Sequence, residues 1–282
     1  MPSWDFETHP PARLDLDVPV GRIEIETVNG DRTHVELEAL TSAGEDLVAD
    51  ARIECRESGG VYTVRVLVPQ RSGWFISFER DPQILVRISC PTKTELSVRT
   101  KSADVIARGE YEAVDIKSAS GDVNIGEVHG DAQIKSASGD VALDQVGGRV
   151  QVHTASGDTA IQRADGDVTV ALISGDLWIR DAGASVRANS VSGDQRIEAV
   201  VEGVVESHSV SGDIWIGVRR GSRVYVDANT VSGATSSELE LTDAPADDAS
   251  DDEGPLLDVR VKTVSGDITI ARAPAPAQLP AS

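Results

Sequence analysis

The sequence predicts an all-β fold, a single-stranded β-solenoid with about 18 residues per rung, capped by an N-terminal antiparallel β region. A Ser-x-Ser-Gly-Asp motif, or a close variant, recurs from residue 102 to residue 267. Within each copy apolar and polar residues alternate, which is typical of half-buried strands. The aspartates of the motif are spaced by 18 residues and, in the last interval, by 19; they are Asp104, Asp122, Asp140, Asp158, Asp176, Asp194 and Asp213.

The N-terminal region, residues 1–100, lacks this motif and is predicted to cap the open end of the solenoid, which would otherwise expose a sheet edge. A short helix is expected at Glu45–Ile53, and a hairpin-like connection carrying Trp74, Phe75 and Phe78 at Arg71–Asp81. Alternating segments predict strands at Leu14–Val18, Arg22–Thr27, Thr33–Leu40, Val61–Val68, Ile84–Ile88 and Glu95–Thr100.

The repeat region, residues 101–272, is expected to form one rung per period, with the aspartate as position 1. Positions 2, 4, 11 and 13 are apolar, so Ile125, Leu143 and Ile161 should lie in a single interior file. Glycine precedes the aspartate because the corner needs a positive φ angle. Residues 243–254 read as an acidic disordered loop, and residues 273–282 as a flexible tail. The small apolar residues of position 16 are expected in the core; they include Ala119, Ala137, Ala155, Ile173 and Val191.

Composition limits the function. A net charge of −21 argues against nucleic acid as a partner, and no apolar stretch is long enough for direct membrane insertion. The start of the chain has no basic or apolar segment of a secretory signal, so a cytoplasmic location is expected, with cell-envelope association through a partner as the alternative. Cys55 and Cys90 are expected as buried, reduced thiols, although the sequence leaves open whether they pair.

The Ser-Ala-Ser-Gly-Asp-Val copies, the Gly-x-Val-x-Val half-repeats and the Val68-Pro69 strand ending resemble the bacterial putative-adhesin β-strand repeat family. This domain of unknown function is related to the toast-rack domains, and the resemblance covers roughly residues 12–272. It implies a β-solenoid found near cell-envelope stress systems. It implies no catalytic residues and no cofactor.

Calcium is one candidate ligand, because stacked Gly-Asp corners superficially resemble a calcium-binding β-roll. However, glycine and aspartate are adjacent here and the additional glycines of that motif are missing. The aspartates are therefore expected to bond turn amides and stay solvated rather than bind metal. The calcium candidates are Asp122, Asp140, Asp158, Asp176 and Asp194.

A candidate binding patch lies at the outward position 3, which holds Trp178, Arg196 and Trp215 on successive rungs. In one column, Arg196 would lie between two indole faces and form cation–π contacts. The alternative is a stabilising ladder between rungs. The argument for a binding role is that exposed tryptophan is uncommon in a chain with 4% aromatic residues.

Two further patterns are weaker. The outward position 14 holds a basic stripe of Arg99, Lys117, Lys135 and His153, expected to be a solvated face screened by acids such as Asp115. A Ser/His/Asp relay can be assembled on paper from Ser136, His153 and Asp140, but the five histidines share no column and the turns explain the serines and aspartates, so catalysis has little support.

These patterns predict a non-enzymatic β-solenoid that acts as a binding or scaffold module for an unknown protein or glycan. The alternatives are a self-assembling, bactofilin-like structural protein, which would stack its rungs end to end, and a calcium-binding β-roll. The sequence does not fix the ligand, the oligomeric state or the handedness of the coil.

Overall fold

The computed structural model describes residues 1–69, 83–239 and 254–273. The predicted hairpin at Arg71–Asp81 lies outside the described residues, as do all of the predicted acidic loop except Gly254 and all of the predicted tail except Ala273. The chain divides into two compact units, Met1–Gly157 and Asp158–Ser282, which are described in turn.

The first unit contains one described helix and thirteen strands. Its elements are β1 (Ser3–Glu7), β2 (Ala12–Asp17), β3 (Val20–Val28), β4 (Arg32–Ala39), α1 (Ser42–Asp50), β5 (Arg52–Ser58), β6 (Val61–Leu67), β7 (Ile84–Pro91), β8 (Thr94–Thr100), β9 (Ser102–Ser118), β10 (Val123–Val128), β11 (Ala132–Ser138), β12 (Val141–Val146) and β13 (Val150–Ser156).

Parallel pairing stacks these strands into two files. One file runs β6–β2–β8–β9–β11–β13, and the other runs β7–β3–β9–β10–β12. The long strand β9 belongs to both files because the chain turns a corner within it at Gly109, where φ is 93°. Ile125 and Leu143 are register partners and almost fully buried, as the interior file requires. The predicted β-solenoid is confirmed.

Antiparallel pairing occurs at the outermost strands of this unit. β1 pairs with β4, β4 with β7, and β5 with β6. By contrast, within the described ranges β2 and β3 pair only in parallel, and they form a rung between β6/β7 and β8/β9. The rung formed by β2 and β3 therefore comes first along the chain but lies second in the stack, next to the rung formed by β6 and β7.

Helix α1 begins earlier than the sequence predicts, because Thr41 is its N-cap. The Thr41 hydroxyl accepts a hydrogen bond from the Gly44 amide at 3.2 Å, which satisfies one free amide of the first turn. Leu47 is buried. The helix ends at Asp50, and the chain then enters β5 at Arg52. No helix in residues 1–69, 83–239 and 254–273 is long and apolar enough to cross a membrane.

The second unit contains only strands among its described residues. They are β14 (Thr159–Ala164), β15 (Val168–Ser174), β16 (Leu177–Ala182), β17 (Val186–Asn189), β18 (Gln195–Val200), β19 (Gly203–Ser211), β20 (Ile214–Val218), β21 (Arg223–Ser232), β22 (Thr235–Ser237), β23 (Leu256–Ser265) and β24 (Ile268–Arg272).

These strands also form two parallel files, but spatial order departs from chain order at the end. One file runs β15–β17–β19–β23–β21, and the other runs β14–β16–β18–β20–β24–β22. The rung β23/β24 is thus inserted between β19/β20 and β21/β22. Ile161 and Ile179 are paired and fully buried in the interior of this unit.

The expectation that position 16 lies in the core is wrong. Ala119 and Ala137 are exposed in the first unit, and Ile173 and Val191 are exposed in the second. Alternation continues through the corner, so that the Ser or Thr of position 15 points inward and position 16 points outward. Thr154 of that inward position is 5% exposed, and its hydroxyl donates to the Ser156 carbonyl at 3.1 Å.

Candidate functional site

The Gly-Asp corners form a hydrogen-bonded ladder along each unit. At successive corners the aspartate amide donates to the Oδ1 atom of the aspartate on the neighbouring rung. In the first unit Asp122 donates to Asp104 and Asp140 donates to Asp122, at 3.2 and 3.0 Å. In the second unit the distances are 2.8 Å for the pairs Asp176–Asp158, Asp194–Asp176, Asp213–Asp194 and Asp267–Asp213.

Glycine is needed at these corners because the backbones of adjacent rungs approach closely. Gly193 has a φ of 118°, and a Cβ atom built on it would lie 2.1 Å from the Gly175 carbonyl oxygen. Both the backbone conformation and the missing space exclude a side chain. The Ser-Gly-Asp repeat is therefore explained by the corner itself.

The ladder of the second unit ends at Ala234. The Ala234 amide donates to Asp267 Oδ1 at 2.8 Å. Ala234 begins the rung that contains β22, and among the described residues β22 pairs on one side only, with β24. A rung with no further rung beside it has no neighbouring amide for a carboxylate to accept. This accounts for Gly-Ala in place of Gly-Asp at residues 233–234.

The calcium candidates are thus engaged with backbone amides. Asp122, Asp158, Asp176 and Asp194 each accept an amide through Oδ1. Asp140 donates its own amide to Asp122. Within the part of the chain that the structure describes, no group of three or more His, Cys, Asp or Glu side chains is arranged to hold a metal ion.

The predicted Trp–Arg patch lies on one face of the second unit. Trp178 is the register partner of Arg196, and Arg196 is the register partner of Trp215, so the three residues occupy one file on consecutive rungs. The Arg196 guanidinium carbon lies 4.6 Å from the Trp215 ring centroid, a cation–π contact. Arg196 Nε also donates to Glu198 Oε1 at 3.0 Å.

Neighbouring residues leave the two indoles partly accessible. Both tryptophans are half-buried. Trp215 extends over Gly217, where a Cβ atom would lie only 2.9 Å from the ring. The file continues with small residues, because Ala160 is the partner of Trp178 and Thr269 is the partner of Trp215. The surface is therefore a flat aromatic–cationic strip bordered by small side chains.

Glu198 connects Trp178 to Arg196. Burial raises the pKa of Glu198, but hydrogen bonds from Trp178 and Arg196 and the charges of Arg196 and Arg180 outweigh it and hold the pKa below its usual value. Glu198 therefore stays ionised and fixes the orientation of both side chains. The surface that results offers indole faces together with a charged hydrogen-bonding pair.

The predicted basic stripe also forms a single file, in the first unit. Arg99 is the register partner of Lys117, Lys117 of Lys135, and Lys135 of His153. Arg99 Nη1 lies 3.6 Å from Asp15 Oδ1, and Lys117 Nζ lies 3.7 Å from Asp115 Oδ2. Acids on neighbouring positions thus screen part of the stripe.

The side chains of the Ser/His/Asp relay make other contacts. The Ser136 hydroxyl donates to the Ser138 carbonyl at 2.9 Å, closing its own corner. His153 Nε2 lies 3.1 Å from the Gln151 amide nitrogen. The geometry therefore gives Ser136 a turn-closing role.

The two cysteines are free thiols in this structure. Cys90 is fully buried, and burial raises its pKa to about 12, although a hydrogen bond with Thr94 opposes the rise. Cys55 is only half-buried, and its pKa is raised by burial and by the charge of Glu57.

Sequence reasoning missed a buried polar cluster in the second unit. Gln195 takes the inward position 2 that is otherwise mostly apolar, and it is 1% exposed. Its amide nitrogen donates to Ser190 Oγ at 2.7 Å and to the His208 carbonyl at 3.0 Å, and its oxygen accepts from Ser207 Oγ at 2.6 Å. The available signal was a glutamine that interrupts an otherwise mostly apolar inward column.

The model of the Toastrack DUF4097 family, a domain of unknown function, matches residues 12–271. The chain belongs to the Toastrack family. The resemblance to toast-rack domains is therefore confirmed, and the Toastrack match spans both compact units.

Solved structures similar to this Toastrack chain include a putative adhesin from Bacteroides fragilis NCTC 9343, with 14% identity, 95% of each chain covered and a TM-score of 0.47. A putative adhesin from Parabacteroides distasonis ATCC 8503 has 10% identity, with 95% of this chain and 96% of that chain covered and a TM-score of 0.43. A putative lipid binding protein from the same organism has 13% identity, the same coverage and a TM-score of 0.43. No curated protein matches the sequence.

Proposed function

We propose that this Toastrack domain is a non-enzymatic binding module that presents the Trp178–Arg196–Trp215 file to a protein or glycan partner. The observation that carries the proposal is the position of the Arg196 guanidinium over the Trp215 indole, beside a second half-buried indole. Flat aromatic surfaces with an adjacent charged hydrogen-bonding pair bind partners through apolar area and orientation together.

The rigidity of the file supports this function. Arg196 is held by Glu198 and by Trp215, and Trp178 is held by Glu198, so the patch loses little side-chain entropy when a partner binds. The strip is built on strands of stacked rungs rather than on loops. A preformed surface of this kind is suited to recognition.

The alternatives have less support. End-to-end assembly would extend the corner ladder, but Ala234 gives the last rung no carboxylate for a further rung. A calcium-binding β-roll would need carboxylates that are available to the ion, whereas the corner aspartates accept amides. A cytoplasmic site of action belongs to the proposal as well, because a reducing compartment would keep Cys55 and Cys90 free.

The test is a pull-down from the native cell combined with a fluorescence titration. The Trp178→Ala/Trp215→Ala variant should lose a partner that the wild-type chain retains. The matched control is Thr269→Ala/Ser236→Ala, which alters the same file without removing an aromatic ring, and it should retain the partner. For a glycan partner, neutral and uronate-containing oligosaccharides should change the tryptophan emission of the wild-type chain but not of the double variant. The proposal would be overturned if both variants retained the same partners and showed the same ligand-induced change in emission.

A further inference from the structure

A file of exposed β-branched residues runs along the second unit on the other side of the corner from the Trp–Arg strip. The serines that follow these residues are register partners on consecutive rungs, which places the residues beside one another. Each is between 50% and 79% exposed. We call this the apolar file; in spatial order it consists of Ile173, Val191, Val210, Val264 and Val231.

The fold does not require this apolar bulk. The residues are exposed, and at two of these corners an inward hydroxyl closes the turn: Ser209 donates to the Ser211 carbonyl and Thr263 donates to the Ser265 carbonyl. In the first unit the equivalent position holds Ala119, Ala137 and Ala155 on the same type of corner. A continuous exposed file of Val and Ile on a chain of net charge −21 is the kind of patch that marks an interaction site.

The flanks of the apolar file differ in charge. The neighbouring outward position on one flank carries no acid and a single lysine, Lys262; its other members are Ala171, Asn189, His208 and Asn229. On the other flank, past one serine and one glycine on each rung, lie the exposed corner aspartates Asp176, Asp194, Asp213 and Asp267. An occupant should therefore carry positive charge along one side only.

We propose that the apolar file is the docking site for a basic amphipathic helix of a partner protein. Rungs are about 4.8 Å apart and a helix rises about 5.4 Å per turn, so one aliphatic residue per turn can pack between successive rungs. Five rungs span about 19 Å, which corresponds to about 13 helical residues at 1.5 Å each. Lysine or arginine on one flank of the helix would then face the aspartates.

A second copy of the chain is a poor occupant by comparison. Two copies would each bring a net charge of −21 to the contact, and this charge opposes association. An extended strand repeats its side chains at about 6.6 Å, which does not match the rung spacing. Charge and spacing together favour the basic helix.

The probe is a 14-residue amphipathic peptide with a leucine stripe flanked on one side by lysines, titrated into the full chain by calorimetry. A scrambled peptide of the same composition, and a peptide with glutamate in place of lysine, should each bind at least tenfold more weakly. The Val191→Thr/Val210→Thr/Val264→Thr variant keeps the shape and strand preference of each side chain. It should weaken binding at least tenfold, while the single Val210→Thr variant should weaken it severalfold.

The Trp178→Ala/Trp215→Ala variant separates this proposal from the proposed function, because it should bind the patterned peptide as the wild-type chain does. Three results would overturn the docking site. They are equal binding of the patterned and scrambled peptides, unchanged binding by the folded valine variants, and light scattering that shows a dimer dissociated by those variants.

Discussion

Glu198 links two rungs, because its carboxylate accepts hydrogen bonds from Trp178 on one rung and from Arg196 on the next. Both hydrogen bonds are strongest when the carboxylate is ionised. Because its pKa is lowered in the folded protein, the stabilisation is complete above the unfolded value of about 4.3 and is lost as the pH falls through the folded pKa. Glu198→Gln should therefore reduce the free energy of unfolding by about 1 kcal/mol at pH 7. Denaturant titration at pH 7 and below pH 4 measures the difference between variant and wild type.

This difference should shrink on acidification, because a protonated glutamate and a glutamine carry the same charge. A control is Glu206→Gln on strand β19, whose carboxylate contacts Arg187 but neither tryptophan. Only Glu198→Gln should also alter the emission of Trp178 at pH 7. A stability difference that stays constant down to pH 3 would contradict this role of Glu198.

Gln195 shows what residue-level reasoning can and cannot recover. The inward direction of position 2 follows from alternation, so its burial is predictable. Its three side-chain hydrogen bonds, to Ser190, Ser207 and His208, depend on which rung lies next to which, and a single sequence does not give that information. The exposure of position 16 was missed for a different reason. Alternation places Val191 on the outward face, but its apolar side chain suggested the core.

The corner ladder is the element that links successive rungs outside the sheets. In Asp194→Ala the amide of Asp213 loses its acceptor, so the free energy of unfolding should fall by about 1–2 kcal/mol. Asp194→Asn keeps an acceptor oxygen in the same place, so it should lower the free energy of unfolding by less than Asp194→Ala does. Chemical denaturation of the two variants measures the contrast.

Ala234→Asp is the matched control for the ladder. It adds a carboxylate at the one corner that has no following rung among the described residues, so stability should change by less than about 0.5 kcal/mol. If Asp194→Ala and Ala234→Asp had equal effects, the aspartates would not act through the amides of the next rung.

Element prediction succeeded where alternation was strong. Strands β2, β3, β4, β6, β7 and β8 were all predicted within a few residues, because a buried face imposes a clear period of two. Strands β1 and β5 were missed. Both pair antiparallel with an outermost strand of the first unit. The β5 sequence Arg-Ile-Glu-Cys-Arg-Glu-Ser also has too few apolar residues to show the alternation of a buried face.

Rung order is a property of the whole arrangement and gives a direct test within the second unit. Lys262 is the register partner of both His208 and Asn229, so it lies between them. In a Cys55→Ser background, His208→Cys/Lys262→Cys should form a disulfide under mild oxidation, because adjacent strands are about 4.8 Å apart. His208→Cys/Asn229→Cys spans two intervals, about 9.6 Å, and should stay reduced.

Thiol titration and mass spectrometry of the two double variants distinguish the orders. Rungs stacked in chain order would give the opposite result, with the 208–229 pair oxidised. The 18-residue rhythm predicted the β-solenoid and its core files, because each period repeats the same inward positions. It did not predict the spatial order, because the last corner copies at residues 230–234 and 263–267 break the spacing, and only the alanine at 234 indicates which one is terminal.

The inserted position of β23/β24 has a consequence for biosynthesis. Strands β21 and β22 leave the ribosome first, yet the strands on which they rest are encoded later in the chain. This end of the protein therefore cannot be completed rung by rung during translation, and a nascent chain stalled before residue 256 would hold an unsupported strand pair. A product terminated before residue 256 therefore lacks the strands with which β21 and β22 pair.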